Sequence, residues 1–237
     1  MASALRIRGF LTALGFLAIA APLRAAPSQA PLSPAAQDFF VEDWHYLASL
    51  YDKVGCNVFV VVDVAKQQLY LFRNGDLADT WPVSTALRGT GELTDSFQTP
   101  LGAFQVVRKI GAGLPEFAVL DRHGPTGGVT APALATHDLA ASAEITTRIL
   151  TLEGLEPGWN EGGDVDTLHR HIYIHGTANL GGLGQPASSG CVQIAPGAMI
   201  HLFRAVSPGT VVLITSGIGN LQKISGENKP VLTGNLS

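Results

Sequence analysis

The sequence predicts a mainly β protein. Short runs rich in valine, isoleucine, leucine and threonine recur through the middle of the chain, and residues typical of turns separate them. The 27 glycines and 14 prolines fit many short strands joined by turns, and 46% hydrophobic residues suffice for a substantial core. The chain shows no internal repeat and no heptad pattern. We therefore expect a single β-rich domain of about 210 residues once the N-terminal segment is removed.

The N-terminus has the pattern of a secretory signal peptide, placed with its cleavage region at residues 1–26. Arg6 and Arg8 precede an apolar run, Phe10–Ile19, that is shorter than the ~20 residues a membrane-spanning helix needs. The candidate cleavage sites follow Ala20, Ala25 and Ala26. An uncleaved anchor is the alternative. We expect secretion across the inner membrane to the periplasm or cell wall, without stable membrane insertion after cleavage.

The charge balance argues against nucleic acid as a partner. The full chain has 15 basic and 19 acidic residues, and removing residues 1–20 takes away Arg6 and Arg8 but no acid. The remainder has 13 basic and 19 acidic residues, a net charge of −6. A chain this acidic is a poor candidate for binding nucleic acid. The oligomeric state stays open.

Residues 27–55 are predicted to be a linker followed by a helix. The segment Pro27–Pro34 has the composition of a linker, and Ser33-Pro34 is typical of a helix start. A stripe at helical spacing follows, and such a stripe is more often a packing surface than a ligand site. Its residues are Phe40, Trp44, Leu47 and Tyr51. We expect this helix to pack on the main domain.

The main domain is placed at residues 56–216. Its first predicted strands are Val58–Val64 and Gln68–Phe72, and Asn74-Gly75 predicts the turn of a hairpin that returns through Leu77–Val83. Further strands are predicted at Ala103–Val107, Ile145–Leu152, His169–His175 and Thr210–Thr215.

Three other segments lack the strand pattern. Residues 109–141 are rich in glycine and proline, which predicts a long irregular loop bordering a binding site. Pro196 is predicted to open a short helix, and residues 217–237 a flexible tail. The apolar face of this helix carries Met199, Leu202, Phe203 and Val206.

A histidine and a cysteine form the candidate catalytic pair. His175 ends an alternating run, and Cys191 follows it by sixteen residues (191 minus 175) directly after Gly190. A free thiol is mostly protonated at neutral pH, so a nucleophilic cysteine needs a nearby imidazole or positive field. Gly190 permits a backbone conformation that aims N–H groups at a developing oxyanion. The glycines that let the chain turn back between the pair are Gly176, Gly181, Gly182, Gly184 and Gly190. We predict a Cys/His dyad with a backbone oxyanion hole.

Two other interpretations of these residues remain. A lone cysteine is usually a small buried hydrophobe, and a lone histidine is usually a satisfied polar residue. The second alternative is a metal-dependent hydrolase, because three histidines would share one face of a strand and two aspartates precede them. These candidate ligands are Asp164, Asp166, His169, His171 and His175.

The segments around the pair resemble the active-site motif of the L,D-transpeptidase (YkuD-domain) family. They read Ile174-His175-Gly176-Thr177 and Ser188-Ser189-Gly190-Cys191-Val192-Gln193-Ile194. The usual form is histidine-glycine, a variable loop, then Ser-His-Gly-Cys, an apolar residue and Arg or Asn. The resemblance covers roughly residues 56–216. Its upstream segments are Val62–Val64, Leu69–Phe72, Pro82–Thr85, Thr99–Gly102, Arg122, Thr126–Gly128 and Leu152–Gly158.

The resemblance implies a β-sandwich or barrel-like catalytic domain with one or two accessory helices. It implies Cys191 as nucleophile and His175 as general base and acid, with the Gly176 carbonyl orienting the imidazole. Ser188 and Ser189 would line the site. The substrate implied is the tetrapeptide stem of peptidoglycan, whose acyl group passes through a thioester to a stem amine (a 3→3 cross-link), a protein lysine or water. No metal and no organic cofactor is implied.

Two residues depart from the family motif. Ser189 stands where most members have histidine, and Gln193 stands where Arg or Asn is usual. Gln193 can contact substrate by hydrogen bonds but lacks the fixed cation that holds a carboxylate in two places. A peptidoglycan-binding domain with weak or no activity is therefore the main alternative.

Cys56 is the second cysteine of the chain. Exported proteins meet an oxidising compartment, where two cysteines favour a disulfide. A bond to Cys56 would remove the predicted nucleophile. We expect Cys56 to be free and buried, with a redox-controlled inactive state as the alternative.

Overall fold

A computed structural model describes residues 58–74, 76–135 and 138–217. The predicted signal peptide, the linker and helix at 27–55, Cys56 and nearly all of the predicted C-terminal tail lie outside the described residues. Ten strands occur within them, which confirms the mainly β prediction. They are β1 (Val58–Asp63), β2 (Gln68–Arg73), β3 (Asp76–Ser84), β4 (Gly102–Ile110), β5 (Ala118–Asp121), β6 (Gly124–Val129), β7 (Ile145–Gly154), β8 (Tyr173–Gly176), β9 (Val192–Ile194) and β10 (Val211–Thr215).

Eight of these strands close into a ring, as a barrel-like fold requires. The order is β4-β10-β1-β2-β3-β9-β8-β7, and β7 pairs back with β4. The pairs β1–β10 and β8–β9 are parallel, and the other recorded strand pairs are antiparallel. The hairpin β5–β6 lies beside the ring and pairs with β7. The ring leaves few free strand edges.

The β2–β3 hairpin forms where Asn74-Gly75 predicts it. Arg73 pairs with Asp76, so two residues make the loop. Asn74 has a φ of 53°, in the left-handed region that the first loop position of a type I′ turn requires. Asparagine tolerates this region better than most residues.

Two α-helices lie in the described residues, α1 (Leu139–Ala143) and α2 (Pro196–Ala205), with 3-10 turns at Gly163–Val165 and Leu180–Gly182. Helix α2 begins at proline as predicted and is the longer of the two. None of the helices in the described part of the chain has the length and apolar character needed to cross a membrane.

The main hydrophobic core takes side chains from all eight ring strands and from α2. Met199, Leu202 and Phe203 of α2 are buried, which confirms the predicted apolar face of this helix. Each ring strand contributes at least one residue to this core, and examples in chain order are Val60, Leu71, Val83, Phe104, Leu150, Ile174, Val192 and Val212. Because interiors are close-packed, this core holds the strands in fixed positions relative to one another.

Residues 109–141 do not form the irregular loop that their composition predicts. Strand β4 extends into the segment, the β5–β6 hairpin follows, and α1 ends it. The Asp121 carboxylate accepts hydrogen bonds from the N–H groups of His123 and Gly124 and closes the hairpin turn. The glycine-rich β6 has low strand propensity and is held by pairing with β5.

The predicted strand at His169–His175 is wrong at its start. Strand β8 begins at Tyr173, and the residues before it form turns. The Asp166 carboxylate accepts a hydrogen bond from the N–H of His169. His171 has a φ of 56°, far from the negative φ of a regular β-strand. The alternating pattern of the sequence therefore begins several residues before the strand does.

Candidate functional site

The parallel strands β8 and β9 have two different faces. Ile174 lies beside Val192, and His175 lies beside Gln193. Successive residues of a strand point to opposite faces. Ile174 and Val192 belong to the main core, so His175 and Gln193 lie on the opposite face, called the outer face here.

Cys191 lies on the same outer face. Extending the register of β8 and β9 by one residue places Cys191 beside Tyr173. Cys191 packs against a small cluster of Leu120, Ile149 and Tyr173, which is separate from the main core and is called the outer cluster. Cys191 lies next to β8, two residues before the position that pairs with His175. Because two residues span about 6.6 Å along a strand, the two residues are offset by about this distance in the strand direction. The structure thus brings the predicted pair to one face of adjacent strands.

His175 is a buried, neutral imidazole with one nitrogen fixed. Its side chain is 3% exposed, and Nδ1 lies 2.8 Å from the Gly176 carbonyl oxygen. A carbonyl oxygen only accepts, so Nδ1 carries the hydrogen and Nε2 keeps its lone pair. Burial lowers the pKa of His175 to about 4, against a smaller opposing effect of the Gly176 carbonyl. At neutral pH the ring is uncharged and can take up a proton at Nε2.

Cys191 is a half-buried thiol that forms no disulfide within the described residues. Its Sγ lies 3.5 Å from the carbonyl oxygen of His171. Burial raises the pKa of the Cys191 thiol to about 11, and the N–H of Tyr173 and the charge of Arg170 oppose this rise. The resting pair is therefore a thiol and a neutral imidazole rather than a thiolate and an imidazolium.

Gly190 is required by the close approach of two other segments. Its φ is 128°, and a Cβ placed on it would lie 3.2 Å from Ile172 Cδ1 and 3.3 Å from the Gln98 carbonyl oxygen. The hydroxyl of Thr99 donates to the Gly190 carbonyl over 2.9 Å. The residue before Cys191 is thus held from two sides, and a side chain there would push the loop away.

Ser188 holds the same loop from within. Its hydroxyl donates to the Cys191 carbonyl over 2.6 Å and accepts from the N–H of Gly190 over 3.2 Å. The Gly190 N–H is therefore engaged, and the oxyanion hole at Gly190 stays a prediction. Ser189 is exposed. Substrate contacts by either serine also stay predictions.

Gln193 is buried and tied to α1. Its Nε2 donates to the carbonyl of Ser142, and the Ser142 hydroxyl donates to the carbonyl of Ala187. The Gln193 Oε1 is buried without a hydrogen-bond partner among the described residues. This residue links the outer face to α1, and its contact with substrate stays a prediction.

Arg170 and Tyr173 also belong to the site, although the sequence did not indicate either of them as a site residue. The charge of Arg170 and the N–H of Tyr173 both act on Cys191 and oppose the rise of its pKa. The motif contains no signal for either residue, because both contacts depend on the turn that precedes β8. The sequence indicated Tyr173 only as one residue of the predicted strand His169–His175.

The structure does not bring the candidate metal ligands together. His169 and His171 are exposed in a turn, whereas His175 is buried in β8. The Asp166 carboxylate accepts from the N–H groups of Gly162 and His169. In the part of the chain that the structure describes, no group of three His, Cys, Asp or Glu residues is placed to hold a metal ion.

Comparison with known proteins identifies a matching family. Residues 57–214 match the model of the L,D-transpeptidase catalytic domain, YkuD. A Bacillus subtilis (strain 168) protein named "Putative L,D-transpeptidase YqjB" is 33% identical over 72 residues, which are 30% of this chain and 41% of that protein.

The solved structures that the chain resembles include two from mycobacteria. An L,D-transpeptidase from Mycobacterium smegmatis is 19% identical, with a TM-score of 0.40, over 67% of this chain and 58% of that one. An L,D-transpeptidase from Mycobacterium tuberculosis H37Rv is 15% identical, with a TM-score of 0.42, over 67% and 57% of the two chains. The chain thus spans less than two thirds of the length of each of these relatives.

Proposed function

Because the chain belongs to the YkuD family of L,D-transpeptidase catalytic domains, we propose that it is a cysteine acyltransferase of peptidoglycan stem peptides. One observation carries this proposal. Cys191 and His175 share the outer face of two adjacent strands, inside the region that matches the family. The proposed substrate is a tetrapeptide stem, and the proposed intermediate is a Cys191 thioester.

The first half-reaction forms the acyl-enzyme. His175 Nε2 takes the thiol proton as Sγ attacks the carbonyl carbon of the diaminoacyl residue, so a C–S bond forms and the carbonyl oxygen becomes negative. The C–N bond to the terminal D-Ala then breaks. His175 returns the proton to the leaving amine. The Gly176 carbonyl keeps Nδ1 protonated throughout and so keeps Nε2 directed to the reaction.

Proton transfer and attack are expected to occur together. The pKa values of Cys191 and His175, about 11 and about 4, differ by about 7 units. At 1.36 kcal/mol per unit, separating the charges before attack costs about 10 kcal/mol, before the attraction between the new charges is counted. A concerted step avoids a free thiolate, because the sulfur loses its proton as its electrons enter the new bond.

The second half-reaction decides the product. An amine of another stem or of a protein lysine, or a water molecule, attacks the thioester carbonyl and gives a proton to His175 as the new bond forms. The C–S bond breaks and Cys191 recovers a proton. We place this reaction in the periplasm or cell wall, and the composition of residues 1–26 supports that location.

A second candidate is a domain that binds peptidoglycan with weak or no turnover. Three features favour it: the raised pKa of Cys191, the engaged N–H of Gly190 and the burial of Gln193 under α1. The first makes ionisation of the thiol more difficult, the second occupies the N–H that would stabilise an oxyanion, and the third holds Gln193 away from a substrate contact.

The test is the intact mass of the purified, reduced protein and of its Cys191→Ala variant. Each is incubated with disaccharide-tetrapeptide and, separately, with a carbapenem. An adduct on the wild type alone, with D-Ala released, supports the acyltransferase, and the muropeptide products then separate cross-linking from hydrolysis. Binding of the stem peptide without an adduct supports the binding domain. Neither binding nor adduct, in protein shown to be folded by circular dichroism, overturns both.

A further inference from the structure

Arg170 connects the turn before β8 to a distant loop. Its Nη1 donates to the Glu92 carbonyl over 2.7 Å, and Nη2 donates to the Gln98 carbonyl over 2.8 Å and to the Ser96 hydroxyl over 3.3 Å. These acceptors lie more than 70 positions away in sequence. The guanidinium therefore holds residues 92–98 by three hydrogen bonds.

This loop touches the residue before the thiol. The Gln98 carbonyl, which accepts from Arg170, also packs against Gly190. The next residue, Thr99, donates to the Gly190 carbonyl. Arg170 is therefore linked through two consecutive loop residues to the backbone that carries Cys191.

Arg170 also reaches the sulfur by a second route. The next residue, His171, has a left-handed backbone and offers its carbonyl to Cys191 Sγ at 3.5 Å. The Arg170 cation interacts electrostatically with Cys191, and the half-buried setting limits screening by water. The loop contact and the charge thus converge on one atom.

We propose that Arg170 is a positioning residue for Cys191: it clamps residues 92–99 against Gly190 and keeps one fixed positive charge beside the sulfur. The inference rests on the proposed function only in taking Cys191 as the nucleophile. Arg170 does not exchange protons, because guanidinium stays protonated in proteins. It acts by favouring the ionised form of the thiol.

Other charged and titratable groups face this site. Tyr173 has a pKa raised by burial and by Cys191, and His175 is neutral at neutral pH. Arg108 and Arg122 act on Tyr173, and Glu92 acts on Arg170. Among the described residues, Arg170 is the one charged side chain recorded as acting directly on Cys191.

The test measures alkylation of Cys191 by iodoacetamide from pH 7 to pH 10.5, resolved by peptide mass so that Cys56 does not contribute. The variants are Arg170→Gln, which removes the positive charge, and Arg170→Lys, which keeps the charge but lacks the paired N–H donors of the guanidinium. Arg88→Gln is the matched control. Arg88 is exposed on the same loop, and its guanidinium packs over Phe97, 5.1 Å from the ring centroid.

The direction of the change separates charge from mere loosening. Loss of an opposite charge raises a pKa by about 1 unit or more, so Arg170→Gln is expected to react about tenfold more slowly at pH 8. A loop that only loosens would expose the thiol, bring its pKa toward 8.5 and speed the reaction. Arg170→Lys is expected within about threefold of the wild type, with Arg88→Gln unchanged.

An Arg170→Gln rate equal to or above that of the wild type overturns the proposal. If this variant does not fold, Arg170→Lys decides, and a rate more than threefold above that of the wild type, which a loosened loop would give, contradicts the proposal. The assay needs no peptidoglycan substrate. Failure of the acyltransferase proposal would appear separately, as a missing carbapenem adduct on a thiol that iodoacetamide still labels.

Discussion

The two faces of strands β8 and β9 share one backbone but have opposite environments. On the inner face Ile174, Val192 and Ile194 are fully buried in the main core. On the outer face His175 Nδ1 and Cys191 Sγ each lie within hydrogen-bonding distance of a backbone carbonyl oxygen. The inner face stabilises the fold through apolar burial, and the outer face holds reactive groups in place. Substitutions on the two faces should therefore have separable effects.

The largest expected effect is on the outer face. Cys191→Ala should reduce acyl-enzyme formation more than a thousandfold, because no other group of the site can form the thioester. Its free energy of unfolding should change by less than about 1 kcal/mol, since a half-buried side chain loses only one atom. Adduct mass and urea unfolding measure the two quantities. A variant that still forms the adduct would show that Cys191 is not the nucleophile.

The next largest effect is expected at the second outer residue. His175→Gln should slow adduct formation by about 100- to 10,000-fold, the range for loss of a general base. Stopped-flow measurement with a carbapenem follows this rate. His169→Ala is the control, because the His169 side chain is exposed. Among the described residues, its hydrogen bond is made by the backbone N–H and not by the ring. Equal rates for the two variants would remove His175 from the mechanism.

On the inner face the expected effect is on stability. Ile174→Ala should lower the free energy of unfolding by about 2–5 kcal/mol, through lost burial and the cavity left in the main core. Under conditions where the protein stays folded, alkylation of Cys191 should change less than about threefold. Urea unfolding and alkylation of the same samples test this. A loss of thiol reactivity as large as that of Arg170→Gln would show that the two faces are coupled.

Acid should act on the outer face through His175. Its pKa is lowered from 6.5 to about 4 in the folded state, so the unfolded chain binds more protons between these values. Stability contributed by the neutral ring is present above pH 6.5 and is lost as pH falls toward 4, to a total of about 3 kcal/mol. Glu92 changes stability in the opposite direction over an overlapping pH range. The measurement therefore compares the free energy of unfolding of the wild type with that of His175→Gln, which should not lose stability as the pH falls. Parallel stability curves for the two proteins would contradict the assignment.

The smallest effect is expected at Glu92, whose carbonyl accepts from Arg170. Burial raises the pKa of the Glu92 carboxyl from 4.5 to about 7, so the folded state binds the extra proton between these values. Its unfavourable contribution appears as pH rises through this window and is complete above pH 7. The carboxyl is only half-buried, so solvent screening reduces this penalty well below the full shift, and Glu92→Gln should raise the Tm by about 2 °C at pH 8. At pH 5 the two proteins should melt within about 1 °C of each other, and an equal gain at both pH values would exclude charge as the cause.

Local patterns in the sequence predicted the parts of the fold that depend on neighbouring residues. Asn74-Gly75 specifies its hairpin because both residues tolerate a left-handed backbone. The helix at Pro196 was predictable for a similar reason, since its start and its apolar face lie within ten residues. The pair of His175 and Cys191 was identifiable because the glycines and the motif around it are contiguous in sequence.

Parts of the site that depend on distant residues were not predictable. Strand β8 starts late because Asp166 and the left-handed His171 shape a turn that the alternating pattern hides. Arg170 gains its partners from residues 92–98, and no pattern near it indicates them. The contact of Gln193 with Ser142 could not be predicted either, because it depends on where α1 packs.

The closed ring of strands has a consequence for how the chain acquires its reactivity. Phe59 of β1 pairs with Val211 of β10, 152 positions later (211 minus 59), so the ring closes only when the last strand is in place. Such distant pairings slow folding, typically to milliseconds or seconds. Until closure, Cys191 is an ordinary thiol with a pKa near 8.5, more open to oxidants than in the finished site. Each molecule therefore passes through an interval in which its nucleophile is more vulnerable than it will be once folding ends.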